Sequence, residues 1–125
     1  MINDLLQNVS KIYIAYGATD FRKQIHSLCN IVESKYKMDP YKKEAFIFCN
    51  KKRNSIKILC YDKNGFILAQ KSLLDTEKMK FQWPRNKNEL AKITKEQLSW
   101  LLSGLKMYPE KYFKEINVNK ENMVI

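Results

Sequence analysis

The stretch FIFCNKKRNSIKILCYDKNGFILAQKSL, residues 46–73, contains three runs of β-forming residues separated by two short polar segments. These runs are typical of strands, which we place at Ala45–Cys49, Ser55–Asp62 and Phe66–Leu73. Between the last two runs, Asp62-Lys63-Asn64-Gly65 fits a type I turn, and Asn64-Gly65 alone fits a type I′ turn. Either turn makes a hairpin, so the stretch predicts an antiparallel meander.

The middle run of the meander has two different faces, because side chains alternate along a strand. Ile56, Ile58 and Cys60 share one face, which we expect to belong to the core. Lys57 and Tyr61 lie on the other face, together with Leu59. This second face combines a cation with an aromatic ring, which makes it a candidate contact surface.

Two elements precede the meander. The sequence KIYIAYG predicts a strand over Lys11–Tyr16 that Gly17 ends. The apolar stripe that follows predicts a helix, with an N-cap oxygen from Thr19 or Asp20 and an end before Asp39-Pro40. We expect this helix to cover one face of the sheet.

Two further elements follow the meander. MKFQWP predicts a short strand with Phe81 and Trp83 on its core side, and Thr94 and Gln97 form the capping-box pattern of a helix. The order of elements predicts an α+β fold with an antiparallel sheet of about four to five strands, a helix between strands 1 and 2 and a C-terminal helix. We expect one domain over residues 1–125, with its core at about 11–105 and an extension at 106–125.

The chain is strongly basic, with a net charge of +10. Such a charge favours nucleic acids, membrane surfaces or acidic proteins as partners. Two windows contain no acidic residue. One is Ala45–Tyr61, with Lys51, Lys52, Arg53 and Lys57, and the other is Lys78–Asn88, with Lys78, Lys80, Arg85 and Lys87. An ordinary solvated surface is the competing interpretation of both windows.

Cysteine usage indicates a reducing compartment. Cys29, Cys49 and Cys60 lie among apolar residues without ligand spacing, so we expect reduced, buried thiols and no metal or other cofactor. The single histidine, His26, lies on a helix and has no familiar zinc spacing to them. The N-terminus does not resemble a signal peptide, and no run is long enough for a membrane helix, so we expect a cytoplasmic protein.

Three segments follow one another as they do in a known family: KIYIAYGATDFRK, FIFCNKKRNSIKILCYDKNGFILAQKSL and FQWP. From about Lys11 to Leu105 the chain resembles the TnpB-type accessory protein, the second open reading frame, of the IS66 family of insertion sequences. The resemblance implies a bacterial mobile element that encodes this protein beside a separate transposase. It implies a role in transposition and supplies no catalytic residues.

The family pattern matches this chain at Thr19–Lys23, at the Asn50–Arg53 turn and at several single positions, which are Lys57, Asp62, Gly65, Lys71, Phe81, Trp83 and Pro84. This chain also departs from the pattern. Its basic turn has fewer arginines, Ser72 stands where the family tends to have a basic residue, and LLDTEKMKF is longer and lacks a glycine.

Three functions from different classes follow from these features. A nucleic-acid-binding accessory would contact phosphates, of DNA or of RNA, with a set of cations and one ring, namely Lys51, Lys52, Arg53, Lys57, Tyr61, Lys71, Arg22 and Lys23. An adaptor would instead bind the transposase through the same basic surface without contacting DNA. A metal-dependent nuclease would need converging carboxylates, but Asp62 fits a turn and Asp20 a helix cap, so we expect no enzyme.

Overall fold

The computed structural model describes residues 2–74, 79–85 and 90–103. These residues form three α-helices, one π-helical turn and five strands: α1 Ile2–Leu5, β1 Lys11–Ala15, α2 Ile25–Asn30 with the π-helical turn Ile31–Lys35, β2 Glu44–Cys49, β3 Ser55–Asp62, β4 Gly65–Ser72, β5 Leu90–Ile93 and α3 Lys95–Leu102. The expected extension at 106–125 lies outside the described residues.

The strands form one open sheet in the order β4-β3-β2-β1-β5. This confirms the α+β class and the expected number of strands. One feature differs from the expectation of a purely antiparallel sheet, since β1 and β2 are parallel, with Lys11 opposite Glu44 and Ile14 opposite Ile47. The helical segment between them explains the difference, because it carries the chain back to the end from which β1 starts.

The meander of β2, β3 and β4 is confirmed, with an unbroken register from the Ser55–Ser72 pair to the Asp62–Gly65 pair. The hairpin turn is tighter than either expected type. Of its two central residues only Lys63 has a positive φ, of 53°, and the N–H of Asn64 donates to the Asp62 carbonyl. The turn therefore closes over three residues.

Both faces of the central strands are buried. On one face, Ile56, Ile58 and Cys60 pack with α1, α3, Phe81 and Trp83, as expected for the core. On the other face, Leu59 packs with Phe46 and Phe48 against α2, whose Leu28 is fully buried, and against Val32 of the π-helical turn. The expectation that this second face of β3 is a contact surface is therefore wrong for most of its length, because this helical segment covers it.

The helix after β1 begins later than its polar residues suggested. It starts at Ile25, with Gln24 at the N-cap and no side-chain cap. Asp20 instead accepts the N–H of Arg22 at 2.9 Å, so it stabilises a turn in the preceding loop. An Asp side chain bonds a backbone N–H two residues ahead as readily as it caps a helix, which explains the wrong boundary.

The helix α3 confirms the capping box. The Gln97 N–H donates to Thr94 Oγ1 at 3.0 Å, and the Thr94 N–H donates to Gln97 Oε1 at 2.9 Å. These two bonds satisfy backbone donors that a helix start otherwise leaves unpaired.

The segment Met79–Arg85 is not a strand, contrary to the expectation, although Phe81 and Trp83 are buried as expected. Instead of pairing as a strand, it makes individual hydrogen bonds to other parts of the chain. The Phe81 N–H donates to the Arg53 carbonyl at 2.7 Å, and Trp83 Nε1–H donates to the Ala15 carbonyl at 2.8 Å. The fifth strand is β5, whose four residues were too few for a recognisable alternation.

Cys29, Cys49 and Cys60 are free thiols and buried, as expected. None of the helices in the described part of the chain has the length and apolar character required to cross a membrane.

Trp83 anchors the Met79–Arg85 segment to β1, so its replacement tests the fold. We expect Trp83→Phe to lower the free energy of unfolding by about 2–3 kcal/mol, because it leaves the buried Ala15 carbonyl without its donor and creates a cavity. Urea denaturation followed by far-ultraviolet circular dichroism measures this. The neighbouring exposed substitution Gln82→Ala is the control and should cost less than about 0.5 kcal/mol. Equal stability of the two variants would contradict the anchoring role.

Candidate nucleic-acid interface

Three loops meet at one end of the sheet. Because β1 and β2 are parallel, their carboxyl ends lie side by side, so the loop at 16–24 lies next to the turn at 50–54. The Thr19 N–H donates to the Cys49 carbonyl at 2.8 Å, and the Gly17 N–H donates to the Pro84 carbonyl at 2.9 Å. The second bond brings in the Met79–Arg85 segment. We call this region, formed by 16–24, 50–54 and 79–85, the basic end.

The turn at 50–54 is held by the side chain of Asn50. Its Oδ1 accepts the N–H of Asn54 at 3.0 Å and of Ser55 at 3.1 Å, and its Nδ2 donates to Asn54 Oδ1 at 2.7 Å. The Arg53 N–H closes the turn on the Asn50 carbonyl at 3.1 Å. This network fixes the backbone that carries Lys51 and Lys52, both of which are exposed.

Arg53 is placed differently from the two lysines before it. The residue is half-buried, its φ of 60° is in the left-handed region, and its Nε is buried without a hydrogen-bond partner. Arginine in that backbone region costs roughly 1–2 kcal/mol relative to the ordinary conformations. The Nε of this side chain is therefore enclosed by the protein, although the residue as a whole is partly exposed.

The second basic window joins the first at this end, through the hydrogen bond from Phe81 to Arg53. Lys80 and Arg85 are exposed there, whereas Lys78 and Lys87 lie outside the described residues. Burial raises the pKa of the Cys49 thiol to about 12, and the positive charges of Arg53 and Arg85 act in the opposite direction. Sequence reasoning treated the windows as separate, because nothing in a linear pattern indicates the hydrogen bond from Phe81 to Arg53.

Lys57 is not part of an exposed surface, which corrects the sequence-based expectation. Only 3% of the residue is accessible. Its Nζ donates to the carbonyls of Phe21 and Lys23, both at 2.9 Å, and lies 4.9 Å from the centre of the Phe21 ring. The ammonium group thus ties the loop at 16–24 to β3, and burial lowers its pKa, against an opposing effect of Asp20.

The loop that Lys57 holds carries Asp20, Arg22 and Lys23. The Arg22 guanidinium donates hydrogen bonds to the Asp20 carboxylate. Its Nη2 lies 2.7 Å from one oxygen, and its Nε lies 3.1 Å from both oxygens. These hydrogen bonds hold the pKa of the Asp20 carboxyl well below its usual range. Asp20 is the sole acidic residue among the described residues of the basic end, and it is already paired.

Tyr61 and Lys71 lie apart from this arrangement. Tyr61 is six residues along β3 from the turn, or about 20 Å, at the opposite end of the sheet. There it forms a ring cluster with Tyr41 and Phe66, at centroid distances of 5.1–5.3 Å. Lys71 is exposed near the basic end, but on the face opposite that of Lys57. The structure therefore does not bring the expected ring and cations together.

The two carboxylates considered for metal-dependent cleavage are also separated. Asp20 lies at the basic end and Asp62 at the far hairpin, so these two groups cannot share a metal ion. Among the described residues, no three His, Cys, Asp or Glu side chains are grouped as metal ligands would be.

Comparison with known proteins adds one finding to this geometry. Residues 10–112 match the family model described as IS66 Orf2 like protein. The chain belongs to this family. No curated protein and no solved structure matches it. The match covers the sheet and α3, and it confirms the resemblance inferred from the motifs.

The motif residues of this IS66 Orf2-like protein have mostly structural contacts. Asn50 holds the turn, Lys57 holds the loop at 16–24, and Phe81 and Trp83 hold the segment that crosses the end of the sheet. In this chain, these residues therefore form a scaffold for three converging loops. The side chains that this scaffold presents to solvent include Lys51 and Lys52.

The buried ammonium group of Lys57 gives a pH-dependent prediction. Lys57→Met should lower the free energy of unfolding at pH 7 by about 1–2 kcal/mol, because the Phe21 and Lys23 carbonyls lose a charged donor. The folded-state pKa of Lys57 is lowered, so between that value and about 10.4 the unfolded chain binds more protons, and this group makes wild-type stability rise with pH. The deficit of the variant should therefore grow from pH 7 to about pH 10 in urea denaturation. A deficit that shrinks would contradict this assignment.

Proposed function

We propose that this protein is a transposition accessory that binds the nucleic acid of its insertion sequence through the basic end. The observation that supports this is the convergence of both acid-free windows on one surface. Lys51, Lys52, Lys80 and Arg85 are exposed there, and the acidic residue of the basic end, Asp20, is occupied by Arg22. Such a surface attracts a polyanion, and the phosphate backbone is the polyanion that a mobile element supplies.

The chemistry of the surface determines what kind of recognition it provides. Lysine and arginine contacts to phosphates fix the position of a protein on a duplex but carry little sequence information. Each phosphate that is neutralised releases condensed counterions, which makes affinity depend on salt. We therefore expect sequence-tolerant binding, with the choice of element ends made by the transposase.

The turn is suited to this task because it is rigid. Asn50 Oδ1 accepts the backbone N–H groups of Asn54 and Ser55, and Asn50 Nδ2 donates to the Asn54 side chain, so the turn is held in the free protein and binding does not have to order it. The loss of conformational freedom is a main cost of association, and pre-ordered contacts reduce it. An adaptor that binds an acidic face of the transposase would use the same surface, and the experiment below distinguishes the two.

The double substitution Lys51→Glu with Lys52→Glu tests this proposal. Both side chains are exposed, so folding should change by less than about 0.5 kcal/mol per site. Duplex DNA affinity should fall, and the slope of log affinity against log salt should decrease by about 0.9 for each phosphate that the variant no longer neutralises. Fluorescence anisotropy at several salt concentrations measures both quantities.

The matched control is Lys42→Glu with Lys43→Glu, which changes net charge equally at another exposed lysine pair, at the opposite end of the sheet. We expect a much smaller effect on affinity. Equal reductions from both pairs would show that net charge alone causes binding. Wild-type protein that fails to bind DNA at about 50 mM salt, where such contacts are strong, would reject the nucleic-acid proposal and favour the adaptor.

A further inference from the structure

The two edge strands of the sheet differ in length. At one edge β5 has four described residues, whereas β4 at the other edge has eight, Gly65–Ser72. Among the described residues, β4 is paired on one side alone, with β3. A long edge strand presents unpaired N–H and C=O groups to a further strand, so natural proteins usually shorten, charge or cover such an edge. This strand carries a single charged side chain, that of Lys71.

The face of β4 that is shared with α1 and α3 combines an exposed apolar side chain with an apolar groove. Ile67 lies opposite Cys60 in the ladder, and 37% of the residue is exposed. Ala69, on the same face, lines an open groove of about 1010 Å³ between α1, β4 and α3, with Leu5 and Leu102 among its apolar walls. An apolar side chain on a strand added beside Ala69 would therefore have a place to be buried.

We infer that the β4 strands of two copies of this chain pair antiparallel and join two five-stranded sheets into one across a twofold axis. In an antiparallel pair, residues directly opposite each other share a face of the sheet. With the axis at Leu68, Ile67 of each copy lies opposite Ala69 of the other, on the face that carries the groove. The exposed side chain and the groove are thus complementary, and the symmetry provides this contact twice.

The charges of this edge match in the same register. Lys71 of one copy lies opposite Gly65 of the other, and Asp62 is the next residue across the sheet, because it pairs with Gly65. A Cβ at Gly65 would meet nothing within 4 Å beyond its chain neighbours, so the space between the two charged groups is open. Two strand spacings, roughly 10 Å, separate their Cα atoms, and an extended lysine and an aspartate span this distance. Both side chains are exposed and form no ion pair within the described residues.

This arrangement also accommodates the net charge of +10. Two copies of a basic protein repel each other, most strongly where their basic ends meet. In an antiparallel pair, each basic end lies beside the hairpin end of the other copy instead. An axis at Ala69 would place Lys71 opposite Ile67, whose neighbour across the sheet is Cys60 and not an acid. Charge therefore favours the register centred on Leu68.

Charge reversal tests the pairing by sedimentation velocity of the full chain at about 150 mM salt, where distant charges are largely screened. We expect the wild type to sediment as a dimer at micromolar concentration. Lys71→Glu and Asp62→Lys should each weaken self-association by about tenfold or more, because each replaces two attractions by two repulsions. The double variant, which exchanges the two charges, should restore the dimer.

The matched control is Lys92→Glu, which makes the same change of charge at an exposed lysine on β5, the opposite edge. It should leave self-association within about twofold. Circular dichroism and urea denaturation check that each variant is folded. A monomeric wild type would overturn the inference and leave the edge of β4 to a strand of another protein. A dimer that persists in both single variants, or that the double variant fails to restore, would overturn it as well.

The apolar contact has a test of its own. Ile67→Ser should weaken self-association by about tenfold, because two isoleucine side chains no longer enter the grooves. Met79→Ser removes another apolar side chain, 48% exposed, and is the control. Equal effects of the two substitutions would show unspecific apolar association and contradict the pairing. None of these measurements contains nucleic acid, so their outcome is independent of the proposed function.

Discussion

The parallel pairing of β1 with β2 is the constraint on which the rest of the structure depends. In an antiparallel pair, the loop after β1 and the turn after β2 would lie at opposite ends of the sheet. The crossover through α2 places them side by side, where the Thr19 N–H reaches the Cys49 carbonyl. In open sheets, the carboxyl ends of parallel strands are a common place for ligands to bind. Here a single parallel pair brings the two loops to the same edge.

The same crossover explains what sequence reasoning could and could not predict. The hairpin at Asp62–Gly65 and the capping box at Thr94 depend on residues within four positions of each other, so both could be recognised from local patterns. The burial of Lys57 could not be recognised from a local pattern. Strand alternation assigned it correctly to the face opposite Ile56, but only the tertiary structure shows that α2 and its preceding loop cover that face.

At the basic end, too, local patterns identified some features and missed others. The cluster Lys51-Lys52-Arg53 is visible in the sequence, and so is the second window. Their convergence depends on the hydrogen bond from Phe81 to Arg53, which joins residues far apart in the chain. The local patterns therefore identified candidate charges but not their grouping. Tyr61 was grouped with the turn because it shares a strand face with Lys57, whereas β3 has eight residues and separates the ring from the turn.

The structure uses positive charge in three distinct ways. Lys57 is buried, and two carbonyl oxygens and the Phe21 ring compensate its charge. Arg22 is exposed and neutralised by Asp20, so it shapes a loop and leaves little charge for a partner. Lys51 and Lys52 are exposed to solvent, which lets water screen their mutual repulsion until a partner replaces it. A count of basic residues cannot separate these roles, although only the third favours a partner directly.

Arg53 belongs to none of these three groups, and this makes it the most informative residue of the surface. Its Nε is buried and has no hydrogen-bond partner among the described residues, whereas Lys57 and Arg22 have acceptors for their donor groups. Its left-handed backbone is a further cost that a glycine or an asparagine at that position would avoid. Two unfavourable features at one residue are difficult to explain by folding alone, because many substitutions would relieve them. A bound anion would compensate the charge of this side chain, which supports the proposed anion-binding role of the basic end.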